Sequence, residues 1–519
     1  TFDLFGDKWR TAVSDLSMES LAVETAEERY YPFDKADDDD DDEDHQGTSA
    51  FVAFVNITKC FAGASSFELP FALMEGGLIA GTLGTIVFAF LSFASFLTLV
   101  ECGKLVRGAS RPSLLEVSTA AYGRWLGRGA ILFAMSAMTL GVCGTYLDFI
   151  GQTISNLVTP HVPWLNKRLC TLGALPFATA LSLVRSQRVM AITSVLGIVA
   201  VIVGCSFVIY DATTRPDVVW HNPFTSDAYG PAIKWRTYGS FMGNAGYLYL
   251  ISTAVLPIEQ QMKKRKSFKC VLGLSVAFTT VLNVAFAIVA AMAYSTTVVG
   301  VEDVILLNLR PGVIAACVKI FAATNLLFSY GLFLGPYADS IEKWWFGGGK
   351  KLDEDATAKN DLLATLSPTH SQAGEEEGFL RSASLTEEAL APAAAPQLLP
   401  PRASLVSHLA VCLKSAGVRI FLCAVTFGVT QAVPDFGLLT GLTGGFGDNM
   451  LAFILTPLLY VKLQHAASYW STRSAAGARR VAVSKIAELG LQLILFVFGI
   501  LLFVLSIYST IVEVRRKYL

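Results

Sequence analysis

The sequence predicts an all-α membrane protein: eleven transmembrane helices, an inverted repeat of five plus five with one helix added, and helices 1 and 6 discontinuous. Three observations predict it. Of 519 residues, 53% are hydrophobic and 16% charged, whereas a soluble protein carries about 25% charged residues. Mean hydropathy is +0.51. Eleven apolar segments approach the roughly 20 residues that cross a hydrocarbon core of about 30 Å. The first and sixth carry helix-breaking residues at corresponding places, the usual pointer to a transport site between inverted repeats.

The spans are expected at 50–76, 78–106, 128–158, 168–185, 188–211, 236–262, 268–296, 312–340, 406–432, 436–463 and 484–512. Backbone groups in lipid must be satisfied within their own segment, which requires helices. Nothing alternates with period two as a membrane barrel would. The fourth span is at the short end. With the N-terminus in the cytoplasm, inner loops hold 17 Lys and Arg and outer loops six. That asymmetry favours this orientation, although Arg515, Arg516 and Lys517 run against it.

Charge is unevenly placed between the spans. Residues 1–44 hold 16 of the 42 acids and residues 341–405 hold 10. The hydrophobic body keeps 16 acids against 30 bases, a net +14, while the whole chain reads −2. Residues 1–47 are expected to form an acidic, disordered cytoplasmic tail, because the run Asp37 to Asp42 repels itself. Residues 48–343 hold helices 1–8, residues 344–405 read as a disordered cytoplasmic linker, and residues 406–519 hold helices 9–11. A nucleic-acid binder, a coiled coil and a secreted disulfide scaffold are disfavoured. Nine cysteines occur singly, without a CxxC, and read as small buried hydrophobes. The chain opens at Thr1 without a visible signal peptide, which leaves an upstream segment open.

In the first span, Gly63-Ala64-Ser65-Ser66 fills the middle with small residues and Pro70 follows within two turns. Ser65 with Glu68 matches a capping box, so a new helix is expected near Ser65. In the sixth, Gly243-Asn244-Ala245-Gly246 precedes Tyr247 and, further on, Pro257. A half-helix starting near Ser65 offers free N–H groups and a positive dipole end to a carboxylate. Half-helices ending near Gly63 and Leu250 offer carbonyls to an ammonium group or a cation. An α-amino acid carries both charges and can bridge the two kinds of end. A Gly/Pro-kinked packing helix is the plainer explanation of one such break; two at matching positions weaken it.

At these residues the chain resembles the amino acid/auxin permease family, most of all its proton-coupled and vacuolar amino acid transporters. The likeness covers about 48–343 and 406–512. It rests on Asn56-x-x-Lys59-x-x-x-Gly63-Ala64-x-x-x-x-Leu69-Pro70-x-Ala72-x-x-x-Gly76-Gly77 and on Leu256-Pro257-Ile258-Glu259-Gln260-Gln261-Met262-Lys263. Ile305-Leu306-Leu307-Asn308-Leu309 and Pro434-Asp435-Phe436-Gly437 add to it. The resemblance implies a LeuT-type fold and secondary active transport of amino acids by alternating access. It implies that Gly63, Ala64, Ser65 and Ser66 line the carboxylate side of the substrate, and Tyr247, Ile251, Ser252 and Thr253 the unwound part of span 6. Ser329 takes the span 8 position of a cation-coordinating hydroxyl in sodium-coupled relatives. Three positions depart from the family pattern: Ser65 for a glycine, Leu250-Ile251-Ser252 in span 6, and Asn56 where some proton-coupled members carry histidine.

Charges inside spans are costly and point to function. Lys59 is expected to hold the first half-helix or pair with a carboxylate, and Glu68 to cap or to take a proton. Asp148, beside Tyr146, is expected near an outer end, and Lys319 to snorkel or pair. Glu101 and Glu259 read as gate or structural partners near cytoplasmic ends. The six histidines lie in loops or at span ends, so a mid-membrane histidine relay is excluded. With no HExxH, Walker loop or nucleophile elbow, the sequence makes no case for an enzyme, a cofactor or a resident metal. The expected function is amino acid symport driven by protons, in a vacuolar, lysosomal or plasma membrane. The alternatives are sodium coupling at Asn56 and Ser329, or an amino acid sensor whose tail and linker bind cytosolic proteins.

Overall fold

The computed structural model describes residues 47–106, 111–183, 187–222, 229–346, 402–433, 435–471 and 481–518. The expected acidic tail, apart from Gly47, and most of the expected linker lie outside the described residues. The first span comprises α1 (Ala50–Phe61) and α2 (Ala64–Gly76), followed by α3 (Leu78–Leu105). Next, α4 (Leu114–Tyr122) runs through a π-turn into α5 (Arg128–Val158); α6 (Lys167–Ser182) and α7 (Gln187–Thr214) follow. The sixth span comprises α8 (Tyr238–Tyr247) and α9 (Ser252–Gln261), succeeded by α10 (Phe268–Ser295), α11 (Val313–Phe346) and α12 (Arg402–Ala432). Then α13 (Phe436–Leu442) continues through π-helical turns at Thr443–Asp448 and Met450–Leu455 into α14 (Thr456–Ser471), and α15 (Val481–Tyr518) ends the bundle.

Among the described residues nine helices are long and apolar enough to cross a membrane, ten when α1 and α2 count as one bent span. The fourth of the eleven expected spans, α6, is too short to be among them. It has 16 residues, about 24 Å of helix, less than a hydrocarbon core of about 30 Å. The cysteine reading also needs amendment. Cys102, Cys143, Cys170 and Cys423 are buried, but Cys270 and Cys317 are exposed.

Local chemistry sets the ends of several helices. Ser113 and Glu116 close a capping box that starts α4, with Ser113 N–H donating to Glu116 Oε2 at 2.7 Å. Asp435 caps α13 by accepting from Leu438 N–H at 3.0 Å. Gly77, at φ 86°, turns α2 into α3; a side chain there would strain the backbone and crowd the Ala232 carbonyl oxygen at 2.5 Å. On α15 a stripe including Leu493, Val497, Leu501, Val504 and Tyr508 is exposed. In water such a stripe would drive association; on a spanning helix it is the lipid face.

Inside the bundle, backbones meet where side chains are absent. A methyl on Gly243 of α8 would overlap the Gly441 carbonyl oxygen of α13, and one on Gly444 would overlap the Gly243 carbonyl oxygen. Small residues at helix crossings are how packing replaces the hydrophobic drive in lipid.

The half-helices are tied in crossed pairs. The start of α1 is bound to the end of α9: Thr48 N–H donates to Gln261 O at 2.7 Å and Lys263 N–H to Thr48 O at 3.0 Å. The end of α2 is bound to the segment entering α8: Lys234 N–H donates to Gly76 O at 3.2 Å and Thr237 Oγ1 to Glu75 O at 2.6 Å.

Candidate functional site

The first break is real and sharp. Ala62 is extended (φ −92°, ψ 93°), Gly63 stands at φ −152°, ψ −141°, and α1 and α2 are bent by 49°. The expected capping box is not formed, because α2 starts at Ala64 with Gly63 as its cap and no side-chain cap bond. That register leaves Ser65 inside the first turn. Its hydroxyl donates across the break to Phe61 O at 3.1 Å, satisfying a carbonyl that the end of α1 leaves open. Glu68, 1% exposed, turns to span 10, where the Thr440 hydroxyl donates to its Oε1; its Oε2 has no hydrogen-bond partner among the described residues.

The second break is also real, though less bent. After Tyr247 the chain tightens: Leu248 N–H donates to Ala245 O at 3.3 Å, Tyr249 N–H to Gly246 O at 3.1 Å, and Ile251 N–H to Tyr249 O at 2.9 Å. Helix resumes at Ser252. The breaks touch through Phe61 and Tyr249, whose rings meet edge-on at 5.7 Å. Tyr249 Oη is held by Thr280 Oγ1 at 2.8 Å.

Between the breaks lies a small cavity of about 10 Å³, lined by Cys60, Gly63, Ala64, Ser65, Val142, Tyr146, Tyr247, Leu250 and Phe333. Tyr247 is fixed by a 2.5 Å bond between its hydroxyl and Thr145 Oγ1. Tyr146 packs edge-on to Phe333 at 5.7 Å. Of the candidates from sequence, Gly63, Ala64, Ser65 and Tyr247 line this cavity. Ser66, Ile251 and Ser252 are buried beside it and Thr253 is half-buried, and none of these four is among the lining residues. Sequence reasoning missed Cys60, Val142, Tyr146, Leu250 and Phe333 as lining residues.

The other charged and polar candidates sit apart from the lining. Lys59 is half-buried near Asn325, with α1, α7 and α11 meeting there. A methyl on Gly197 would overlap Asn325 Oδ1 and lie 3.1 Å from Lys59 Cε. Ser329 donates to Asn325 O at 3.0 Å, and Asn56 is half-buried on α1. Asp148 is fully buried and paired with Lys167 at 2.9 Å. Lys319 pairs rather than snorkels, donating to Asn156 Oδ1 at 2.8 Å. Glu101 pairs with Lys269 at 2.8 Å, and Glu259 lies 3.7 Å from Arg265.

A helical membrane bundle whose two interrupted spans open onto one buried cavity has the build of a membrane transport protein. The family model described as transmembrane amino acid transporter protein matches residues 46–512, and the chain belongs to that family. Amino acid transporter AVT3B of Arabidopsis thaliana is 27% identical over 317 residues, covering 58% of this chain and 73% of that protein. Vacuolar amino acid transporter 4 of Saccharomyces cerevisiae is 24% identical over 343 residues, 64% of this chain and 47% of its own. Vacuolar amino acid transporter 3 of Schizosaccharomyces pombe is 24% identical over 320 residues, with 60% and 46% covered. The function is therefore transmembrane amino acid transport, and the chain is not an enzyme.

Proposed function

We propose that the protein is a proton-coupled amino acid symporter working by alternating access, on a LeuT-type repeat of spans 1–5 and 6–10 with α15 added. The observation that carries this reading is the shared lining of the cavity: Gly63, Ala64 and Ser65 from the first break, Tyr247 and Leu250 from the second. The start of α2 presents N–H groups and a positive dipole end to the substrate carboxylate. The carbonyl-rich ends of α1 and α8 face its ammonium group. Ser66, Ile251, Ser252 and Thr253 support these turns from behind. Val142, Leu250 and Phe333 put apolar groups beside these ends, which suits small neutral amino acids.

Alternating access follows from the crossed ties. The pair α1–α9 closes one end and the pair α2–α8 the other, so the two pairs can part in turn. Asn56, Lys59, Glu68 and Ser329 form the coupling and gating set. Lys59 favours protons over sodium. Lys59 and Asn325 both approach Gly197, and Ser329 donates to Asn325 O, so a sodium ion near Ser329 would share these surroundings with the chain's own cationic side chain, and like charges repel. The cytoplasmic N-terminus rests on the excess of basic inner loops. A vacuolar or lysosomal membrane is the favoured location, since two relatives are named as vacuolar, with the plasma membrane the alternative.

Uptake of labelled amino acids into proteoliposomes under an imposed pH gradient, with and without sodium, tests the reading. Accumulation without sodium is expected. Accumulation only with sodium would replace the coupling ion, and none under either gradient would refute symport.

A further inference from the structure

Three polar side chains meet deep in the bundle, outside the cavity lining: Glu68 of α2, Asn244 of α8 and Thr440 of α13. They are 1%, 3% and 0% exposed. The Thr440 hydroxyl lies within hydrogen-bond reach of Glu68 Oε1, of the Phe436 carbonyl at 2.9 Å, of the Gly437 carbonyl at 3.0 Å and of Asn244 Oδ1 at 3.4 Å. A methyl on Gly441 would lie 2.6 Å from Asn244 Oδ1, so the amide is pressed against α13. Two atoms of this group are buried without a hydrogen-bond partner among the described residues, the acceptor Glu68 Oε2 and the donor Asn244 Nδ2.

The charged groups that face Glu68 are carboxylates. Asp435 caps the start of α13, and Asp303 Cβ lies 3.5 Å from where a methyl on Gly437 would stand. From α8 the titratable neighbour is the Tyr247 phenol. Among the described residues α3, α5 and α10 set no charged group against Glu68. An ionised Glu68 therefore has to be satisfied by hydrogen bonds rather than by a cation.

Thr440 has one hydrogen to give and can accept from another group. With Glu68 protonated, the acid donates to Thr440 Oγ1 and Thr440 donates on to Phe436 O. With Glu68 ionised, Thr440 turns its hydrogen to Oε1, and Oε2 becomes a buried charge in need of a donor. Asn244 Nδ2 is a buried donor in need of an acceptor. We infer that Glu68, Thr440 and Asn244 form the proton site of the transport cycle: Glu68 carries the proton, Thr440 holds the acid, and the Asn244 amide bonds the carboxylate once the proton has left. Thr440 and Asn244 are positioning residues. Protonated, Glu68 fastens α2 to α13; ionised, it also fastens α2 to α8, its partner in the pair that closes one end of the cavity. The inference rests on the proton-coupled reading and names the residues that bind that proton. One proton joins Glu68 Oε1 and one is given back per cycle, and apart from the hydrogen bonds that turn with it no bond is made or broken.

The test uses the full chain in proteoliposomes. Glu68→Gln keeps the shape and removes the titration. Accumulation under a pH gradient is expected to fall about tenfold or more, to lose its dependence on pH, and to fall further than amino acid counterflow exchange. Asn244→Ala leaves the carboxyl in place and removes the donor to its ionised form, so the pH of half-maximal uptake is expected to rise by about one unit. An amide that merely packed helices would lower uptake at every pH and leave that midpoint in place. Gradient-driven accumulation by Glu68→Gln with the parent's pH profile overturns the inference alone. So does an unmoved or lowered midpoint in Asn244→Ala, which can be read even if Glu68→Gln fails to fold. A parent protein indifferent to the pH gradient overturns the proton-coupled reading together with this inference.

Discussion

Gly63 occupies the point where a side chain would compete with substrate. A methyl added there meets only Tyr146 Oη, at 3.9 Å, so Gly63→Ala is expected to melt close to the parent temperature. The methyl nevertheless takes cavity space beside the α2 N–H groups, so KM for amino acid uptake should rise about tenfold with kcat changed less. Purified-protein melting and initial uptake rates check this; an unchanged KM would remove Gly63 from the site. Residues at the breaks were legible in the sequence because small and proline residues interrupt an apolar run. Val142 and Phe333 were not, since they lie within unbroken apolar helices whose pattern does not say which face meets a cavity. Ser65 and Glu68 misled as a cap: the letters matched, but the start of α2 at Ala64 put the Ser65 hydroxyl on Phe61 O and left Glu68 to Thr440.

Helix-to-helix contact carries two further predictions. Along the α8–α13 seam, Gly243→Ala forces a methyl against the Gly441 carbonyl. Overpacking of this kind costs about 1–3 kcal/mol, to be read as a lower melting temperature in detergent; an unshifted melting curve would mean the seam opens easily. In the loop between α10 and α11, Asp303 accepts from Gln152 Nε2 at 3.1 Å. Burial, and then the nearby Asp435 charge, push its pKa above the ordinary carboxylate value. The folded protein therefore holds this proton more tightly than the unfolded chain. The stability it contributes is full below about pH 4 and is lost as pH rises through the raised value. Asp303→Asn should lift the melting temperature at neutral pH and flatten its fall between acid and neutral pH, and an unaltered slope would contradict this. Most elements could be read from hydropathy alone, since lipid demands long apolar helices. The fourth reads as the shortest, at 168–185, and α6 is a helix of only 16 residues.

Across the whole molecule, polar groups are spent where chain breaks and helix ends need them, and the lipid face is left apolar. The ends of the bundle are closed by different means. Main-chain pairing at Thr48 and Met262 fastens one end, with Glu101–Lys269 between α3 and α10. Arg310 with Asp211 at 2.7 Å joins the loop before α11 to α7, and Tyr294 Oη reaches the same carboxylate at 2.8 Å. An experimental density map of the protein with a bound amino acid would decide whether the breaks are the binding site. The substrate carboxylate is expected against the N–H groups of Gly63 to Ser65, with its ammonium group toward the carbonyls around Tyr247. Density for the amino acid elsewhere, or continuous helices through residues 61–64 and 247–252, would contradict it.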